Sequence, residues 1–225
     1  MKAVIFDCDG TLVDSEVLTN EVLVEAVADY GLVISLAEAV AAFRGRKMAE
    51  CVSALEQRLG RALPADFVSQ FRERMSAAFR DRLRPVEGAV DLVRSIRQPF
   101  CVASSGPRDK IESSLSLTGL LPFFKESIFS SYEVGIWKPE PGLFLHAART
   151  MGIEPHSCIV VEDSLPGVQA GIAAGMQVFA FQPHETDPQI PKNVRIVKHL
   201  SELNSWLSSD AAEQGVAADG AAPRS

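Results

Sequence analysis

The stretch AVIFDCDGTLVDSE, residues 3–16, carries an apolar run straight into two carboxylates one residue apart, Asp7 and Asp9. Carboxylates are costly to hold beside a core unless something there uses them. Residues i and i+2 of an extended chain point the same way, so Asp7 and Asp9 face one site. Three more apolar runs end on reactive groups. FCVA leads to Ser104, Ser105 and Gly106; CIVV leads to Glu162, Asp163 and Ser164; SIF precedes the loop WKPEPG, which holds Lys138. Asp163 joins Asp7 and Asp9 as an oxygen cage for a hard cation. Mg²⁺ takes a few carboxylate oxygens and leaves positions for water or phosphate. A phosphoryl group in that cage would meet the cation, Lys138, the Ser104 hydroxyl and the amides near Gly106. Phosphoryl transfer is mainly positioning and neutralisation of oxygen charge. One carboxylate can act as nucleophile and form an aspartyl phosphate. A second can protonate the leaving oxygen and then activate water.

Each group has a plainer reading by itself. Asp7 and Asp9 can open a turn before Gly10. Lys138 can be a solvated surface residue. Ser104 and Ser105 can be turn or cap residues. Glu162 can be purely structural. Their joint occurrence at the ends of apolar runs is what favours a site.

The elements that must position these groups are legible as alternating strands and helices. Short apolar, β-like runs lie at Ala3–Phe6, Phe100–Ala103, Ser127–Phe129, Cys158–Val161 and Gln177–Phe181. Helical spacing separates them, as in 88–97 (Val90, Val93, Ile96) and 142–152 (Phe144, Ala147, Ala148, Met151). That alternation predicts an α/β fold, a Rossmann-like parallel sheet with helices on both faces. Ligands of such sheets bind beyond the carboxyl ends of the strands, where these polar groups gather. Residues 15–83 break the rhythm with helical stripes only. Phe67, Phe71, Met75, Phe79 and Leu83 recur every four residues, which predicts an inserted helical unit. The expected division is a core of residues 1–14 and 84–207, a helical cap of 15–83, and a tail of 208–225, poor in apolar residues and expected to be disordered.

The formal net charge of −7 argues against nucleic acid or an anionic membrane as partner. No apolar run approaches the length of about 20 residues that spans a bilayer, and no signal peptide is recognisable at the start, so a cytoplasmic location is expected. The four cysteines form no CxxC pair. Cys8 points opposite to its two Asp neighbours, whose charge opposes a thiolate, so it is read as a packing residue.

These motifs resemble the haloacid dehalogenase superfamily, in its phosphatase branch. DCDGTL resembles the D-x-D-G-T/V-L motif, SSG the Ser/Thr motif, KPEPGLF the Lys motif and VEDSLPGVQAGIAAGM the acidic motif, in the family's order. The likeness extends to about residue 205 and implies a small helical cap. It also implies residue roles. Asp7 is the nucleophile and Asp9 the general acid/base. Ser104, Ser105, Gly106 and Lys138 bind phosphate. Mg²⁺ is held by Asp7, Asp9 (through its carbonyl) and Asp163, with Glu162 behind them. Asp9 argues against dehalogenation, because the family's dehalogenases lack the second Asp. Thr19, where the family's hexose-phosphate mutases carry a His, makes a mutase the second reading. A non-catalytic sensor of phosphorylated metabolites is a third. Arg44, Gly45, Arg46 and Lys47 of the cap, with Arg108 on the core side, are the candidates for substrate selection. Arg pairs well with carboxylates, so a carboxylate-bearing sugar phosphate such as 6-phosphogluconate fits them. The same basic cluster can also be a solvated face. The partner expected is a small phosphate ester, taken by a monomer or weak homodimer.

Overall fold

A computed structural model describes residues 2–43, 48–183 and 186–207. The core is a six-stranded, all-parallel sheet of β1 (Ala3–Phe6), β2 (Phe100–Ser104), β3 (Ile128–Ser130), β4 (Cys158–Glu162), β5 (Gln177–Phe181) and β6 (Arg195–Val197), in the order β3-β2-β1-β4-β5-β6. This is the predicted fold class. Its central strands are buried on both faces, which is why they read as continuous apolar runs rather than alternating ones.

Alternate residues of β1 feed two different cores. Val4 and Phe6 pack with Leu92, Val93, Ile111, Leu115 and Phe124, which come from α5 (Ala89–Ser95), α6 (Arg108–Leu117) and α7 (Leu121–Phe124). Ala3 and Ile5 pack on the opposite face with Phe144, Ala147, Val168 and Ala170, from α9 (Gly142–Met151) and α10 (Leu165–Ala173). The short α8 (Ser131–Val134) follows β3 directly, with Ser130 as its N-cap. Burying each large apolar side chain contributes about 1.5–3 kcal/mol, so this double-sided layer holds the strand ends in place.

Between β1 and α5 the described residues form α1 (Ser15–Ala28), α2 (Leu36–Phe43), α3 (Met48–Leu59) and α4 (Phe67–Arg82). Arg82 pairs across α1 and α4 with Glu21 and Glu25, and Tyr30 meets Phe67 edge-on at 5.7 Å. The two chain crossings on either side of these helices run beside each other. Asp14 N–H donates to the Arg84 carbonyl at 3.0 Å and Val86 N–H to that of Leu12 at 2.9 Å. Among the described residues no helix is long and apolar enough to cross a membrane. The expected tail of residues 208–225 lies outside the described residues.

The sheet differs from the sequence expectation at its edge. β6 has only three residues and starts on exposed Arg195, so it offers no apolar run to read. Three strands also end one residue later than expected, which makes Ser104, Ser130 and Glu162 strand termini.

Candidate active site

Asp7 directly follows β1, and its N–H donates to Val161 of β4 at 2.9 Å, so the ladder fixes its backbone. Its carboxylate is buried, and Oδ1 accepts from Lys138 Nζ at 2.5 Å. The same ammonium donates to Glu162 Oε1 at 2.7 Å and lies 5.0 Å above the Phe144 ring. Glu162 ends β4, and its second oxygen, Oε2, accepts from the backbone and hydroxyl of Ser164 at 2.6 and 2.8 Å. Ser164 also caps α10, accepting from Gly167 N–H at 3.2 Å. The start of α10 therefore anchors Glu162, and Glu162 aims Lys138 at Asp7.

Asp163 is held by both its ends. Thr11 Oγ1 donates to its Oδ1 at 3.3 Å, and Gln182 Nε2 donates to its carbonyl at 2.6 Å. Gly10 makes room for it. The φ of Gly10 is +83°, and a Cβ there would lie 2.3 Å from Asp163 Oδ2. Only glycine combines that backbone with that approach.

Asp7, Glu162 and Asp163 each present a carboxylate oxygen within 4.8 Å of the others. All three are buried, and the ammonium in hydrogen-bond contact with Asp7 and Glu162 is that of Lys138. Burial pushes the Asp7 carboxyl up to about 7; Lys138 opposes that rise and Glu162 adds to it. Burial also works against the Lys138 charge, but Asp7 and Glu162 outweigh it and raise the ammonium above its ordinary value. Carboxylates buried this close together disfavour one another's charge, and a bound cation would relieve that. An all-oxygen donor set fits a hard divalent ion such as Mg²⁺.

Asp9 has partners of its own. Oδ1 accepts from the Ser15 hydroxyl at 2.7 Å and Oδ2 from Lys110 Nζ at 2.8 Å. Ser104 is buried at the end of β2, and its Oγ accepts from Gly106 N–H at 3.2 Å. The Gly106 carbonyl in turn accepts from Ser130 Oγ at 2.6 Å, so the Ser104–Ser105–Gly106 loop is tied to β3. Cys8 is buried, and its thiol is pushed well up by burial, then by Asp9 and Asp7.

The structure thus brings Asp7, Lys138, Glu162 and Asp163 together, with Asp9 and the Ser104 loop at the ends of the neighbouring segments. The Arg108 guanidinium has partners of its own. That group bonds both oxygens of Glu133, Glu112 Oε1 and the Ile128 carbonyl. Arg44, Gly45, Arg46 and Lys47 lie outside the described residues. A cavity of about 300 Å³ opens between α1, α2 and the strand ends, lined by Gly10, Asn20, Val40, Val86, Phe181 and His199 among others.

Thr11, Ser15, Lys110 and Gln182 were not foreseen as site residues, and Ser164 was foreseen only as a reactive group at a strand end, not as the cap that holds Glu162. Ser164 had a signal, since Ser followed by Leu-Pro-Gly marks a helix start. Lys110 had none. Its position, 101 residues from Asp9, acquires meaning only when α6 packs beside β1.

A model of the haloacid dehalogenase-like hydrolase family matches residues 1–175. The chain belongs to that family of hydrolases. It is 37% identical over 206 residues to the 6-phosphogluconate phosphatase of Escherichia coli strain K12, covering 90% of this chain and 93% of that one. It is 31% identical over 177 residues to a fructose-1-phosphate phosphatase of the same organism, covering 76% and 92%. Among solved structures, a family hydrolase from Deinococcus radiodurans R1 with bound phosphate and sodium superposes with a TM-score of 0.83 at 30% identity, over 94% of this chain and 96% of that one.

Proposed function

We propose that the chain is a Mg²⁺-dependent phosphoric monoester hydrolase acting on a sugar phosphate, with 6-phosphogluconate the first substrate to test. The observation that carries this reading is the buried Asp7–Lys138–Glu162 chain beside Asp163. It supplies a fixed carboxylate, a fixed cation and a cluster of three buried carboxyl groups at the carboxyl ends of the strands. The phosphatase names of the relatives support the substrate class.

In this reading Asp7 and Asp163, with the Asp9 carbonyl, hold the metal. When bound, it would neutralise phosphoryl oxygen charge. Lys138, the Ser104 hydroxyl and the Gly106 amide bind the remaining phosphoryl oxygens. An Asp7 oxygen attacks phosphorus, and an acyl-phosphate bond forms as the ester P–O bond breaks. Asp9 gives its proton to the departing sugar oxygen. Asp9 then takes a proton from water, and the resulting hydroxide attacks phosphorus. Inorganic phosphate leaves and Asp7 is regenerated. Glu162 touches Lys138 rather than substrate and keeps it aimed.

The test is to trap the intermediate. Brief exposure to a labelled sugar phosphate followed by acid quench gives a hydroxylamine-labile phosphoprotein in the native enzyme and none in Asp7→Asn. A labile phosphoprotein in Asp7→Asn overturns the nucleophile assignment. A mutase reading would require a phosphorylated sugar product instead of free phosphate, which product analysis in the same reaction distinguishes.

A further inference from the structure

Lys110 sits in the first turn of α6 and is half-exposed, yet its ammonium is committed to a single oxygen, Oδ2 of Asp9, at 2.8 Å. Its stem runs beside the phosphate-binding loop, with Cδ 3.8 Å from where a Gly106 Cβ would stand. The Ser15 hydroxyl holds the other oxygen, Oδ1. These two partners differ chemically. An ammonium only donates, whereas a hydroxyl both donates and accepts. A proton on Oδ2 would face an N–H, while a proton on Oδ1 meets a partner that can turn to suit it.

We propose that Lys110 is a positioning residue of the hydrolase: it fixes the Asp9 carboxyl group from the core side, so that Oδ1 is the oxygen that gives and takes the proton. The inference rests on the acid/base role of Asp9 proposed above. Asp9 itself is only partly buried, with a side-chain exposure of 28%, so packing alone does not hold its rotamer. Misplacing a catalytic group by about 1 Å costs on the order of 100-fold.

The test compares leaving groups. An alkoxide needs a proton in order to depart, whereas p-nitrophenolate departs without one. Lys110→Ala and Lys110→Met should lower kcat/KM for 6-phosphogluconate on the order of 10- to 100-fold. For p-nitrophenyl phosphate the loss should be several-fold smaller. Lys110→Arg, which keeps a donor, should recover part of the loss. KM, the inhibition constant of inorganic phosphate, the Mg²⁺ binding isotherm and the melting temperature should stay near those of the native protein. A crystal structure of Lys110→Ala should show the Asp9 side chain turned from its native rotamer. Asp9→Asn is the reference and should show the same leaving-group dependence, more strongly. If Asp9→Asn shows that dependence and the Lys110 variants lose equally on both substrates, or lose nothing, positioning is overturned. A rise in KM and in the phosphate inhibition constant at constant kcat also overturns it, in favour of direct contact with phosphate. If Asp9→Asn itself shows no leaving-group dependence, the acid/base reading fails, and the Lys110 proposal fails with it.

Discussion

The ammonium of Lys138 stands 2.5 Å from Oδ1 of Asp7, with side-chain exposures of 5% and 9%. Glu162 completes the chain from the other side, almost wholly out of solvent. Removing one partner of such a buried pair strands the other's charge and costs about 3–5 kcal/mol. Lys138→Met keeps an unbranched stem and removes the ammonium, with its two ion pairs and its place above the Phe144 ring. Urea unfolding in EDTA should show a loss of that size. Lys138→Met and Glu162→Gln should also cost less together than the sum of their separate effects, because Glu162 loses its charge partner once Lys138 is gone. Additive losses would show that the two groups are not coupled.

The clustering of Asp7, Glu162 and Asp163 predicts a response to metal. A cation that binds the folded chain and not the unfolded one stabilises it by about 2.7 kcal/mol at a hundredfold excess over Kd. For a chain of this size that raises Tm by roughly 5–10 °C. Thermal melts with Mg²⁺ and with EDTA should differ by about that amount in the native protein and much less in Asp163→Asn. Phosphatase activity should disappear in EDTA and return with excess Mg²⁺. Full turnover in the chelated enzyme would remove the metal from the proposed chemistry.

How much of this was legible beforehand depended on whether a residue's meaning was local. Asp7 stood out because a carboxylate at the end of an apolar run violates the pattern around it. The five apolar strands were visible for the same reason, being buried on both faces. β6 was not, because an edge strand of three residues beginning with exposed Arg195 has no apolar signature. Asp9 was read as facing one site with Asp7, and the partners that the fold gives it, Ser15 and Lys110, were not legible. Those partners come from the helices that follow β1 and β2, and their approach is set by packing rather than by spacing. Arg108 shows the converse case. Its position just after the SSGP loop pointed towards substrate, while Glu133 and Glu112 draw its guanidinium into ion pairs.

Gly10 offers a separation of strain from function. Gly10→Ala places a side chain on a backbone of φ +83° and within 2.3 Å of Asp163 Oδ2. Gly152, the C-cap of α9, has φ +69° with nothing within 4 Å of its notional Cβ. Left-handed backbone costs an alanine about 1–2 kcal/mol at either place. Both variants carry that strain, and Gly10→Ala should lose more stability in EDTA than Gly152→Ala because only it also crowds Asp163. Only Gly10→Ala should weaken Mg²⁺ binding, by about 10-fold or more, because only it displaces Asp163. Calorimetric titration of the two variants checks this, and equal Mg²⁺ affinity would dissociate Asp163 from the metal site.

Selectivity is the last point open to direct measurement. Asp7, Ser104, Lys138 and the metal would touch only the phosphoryl group and would treat any monoester alike. Recognition of the rest of the substrate must come from other groups, and Arg44, Arg46 and Lys47 are the cationic candidates in the cap sequence. A charge-assisted hydrogen bond to a substrate carboxylate contributes about 1.5–3 kcal/mol. At about 1.4 kcal/mol per decade that is roughly 10- to 150-fold in kcat/KM. Alanine at whichever cap residue makes the contact should cost that much with 6-phosphogluconate and little with p-nitrophenyl phosphate, which has no carboxylate. Arg108→Ala is the internal comparison, since its guanidinium is engaged by Glu133, Glu112 and the Ile128 carbonyl. It should change both substrates in the same proportion, through the α6–α8 packing that those bonds support. If every cap variant also changes the two substrates in the same proportion, the basic cluster is a solvated face. The carboxylate would then have to be read by the cavity lined by Asn20 and His199.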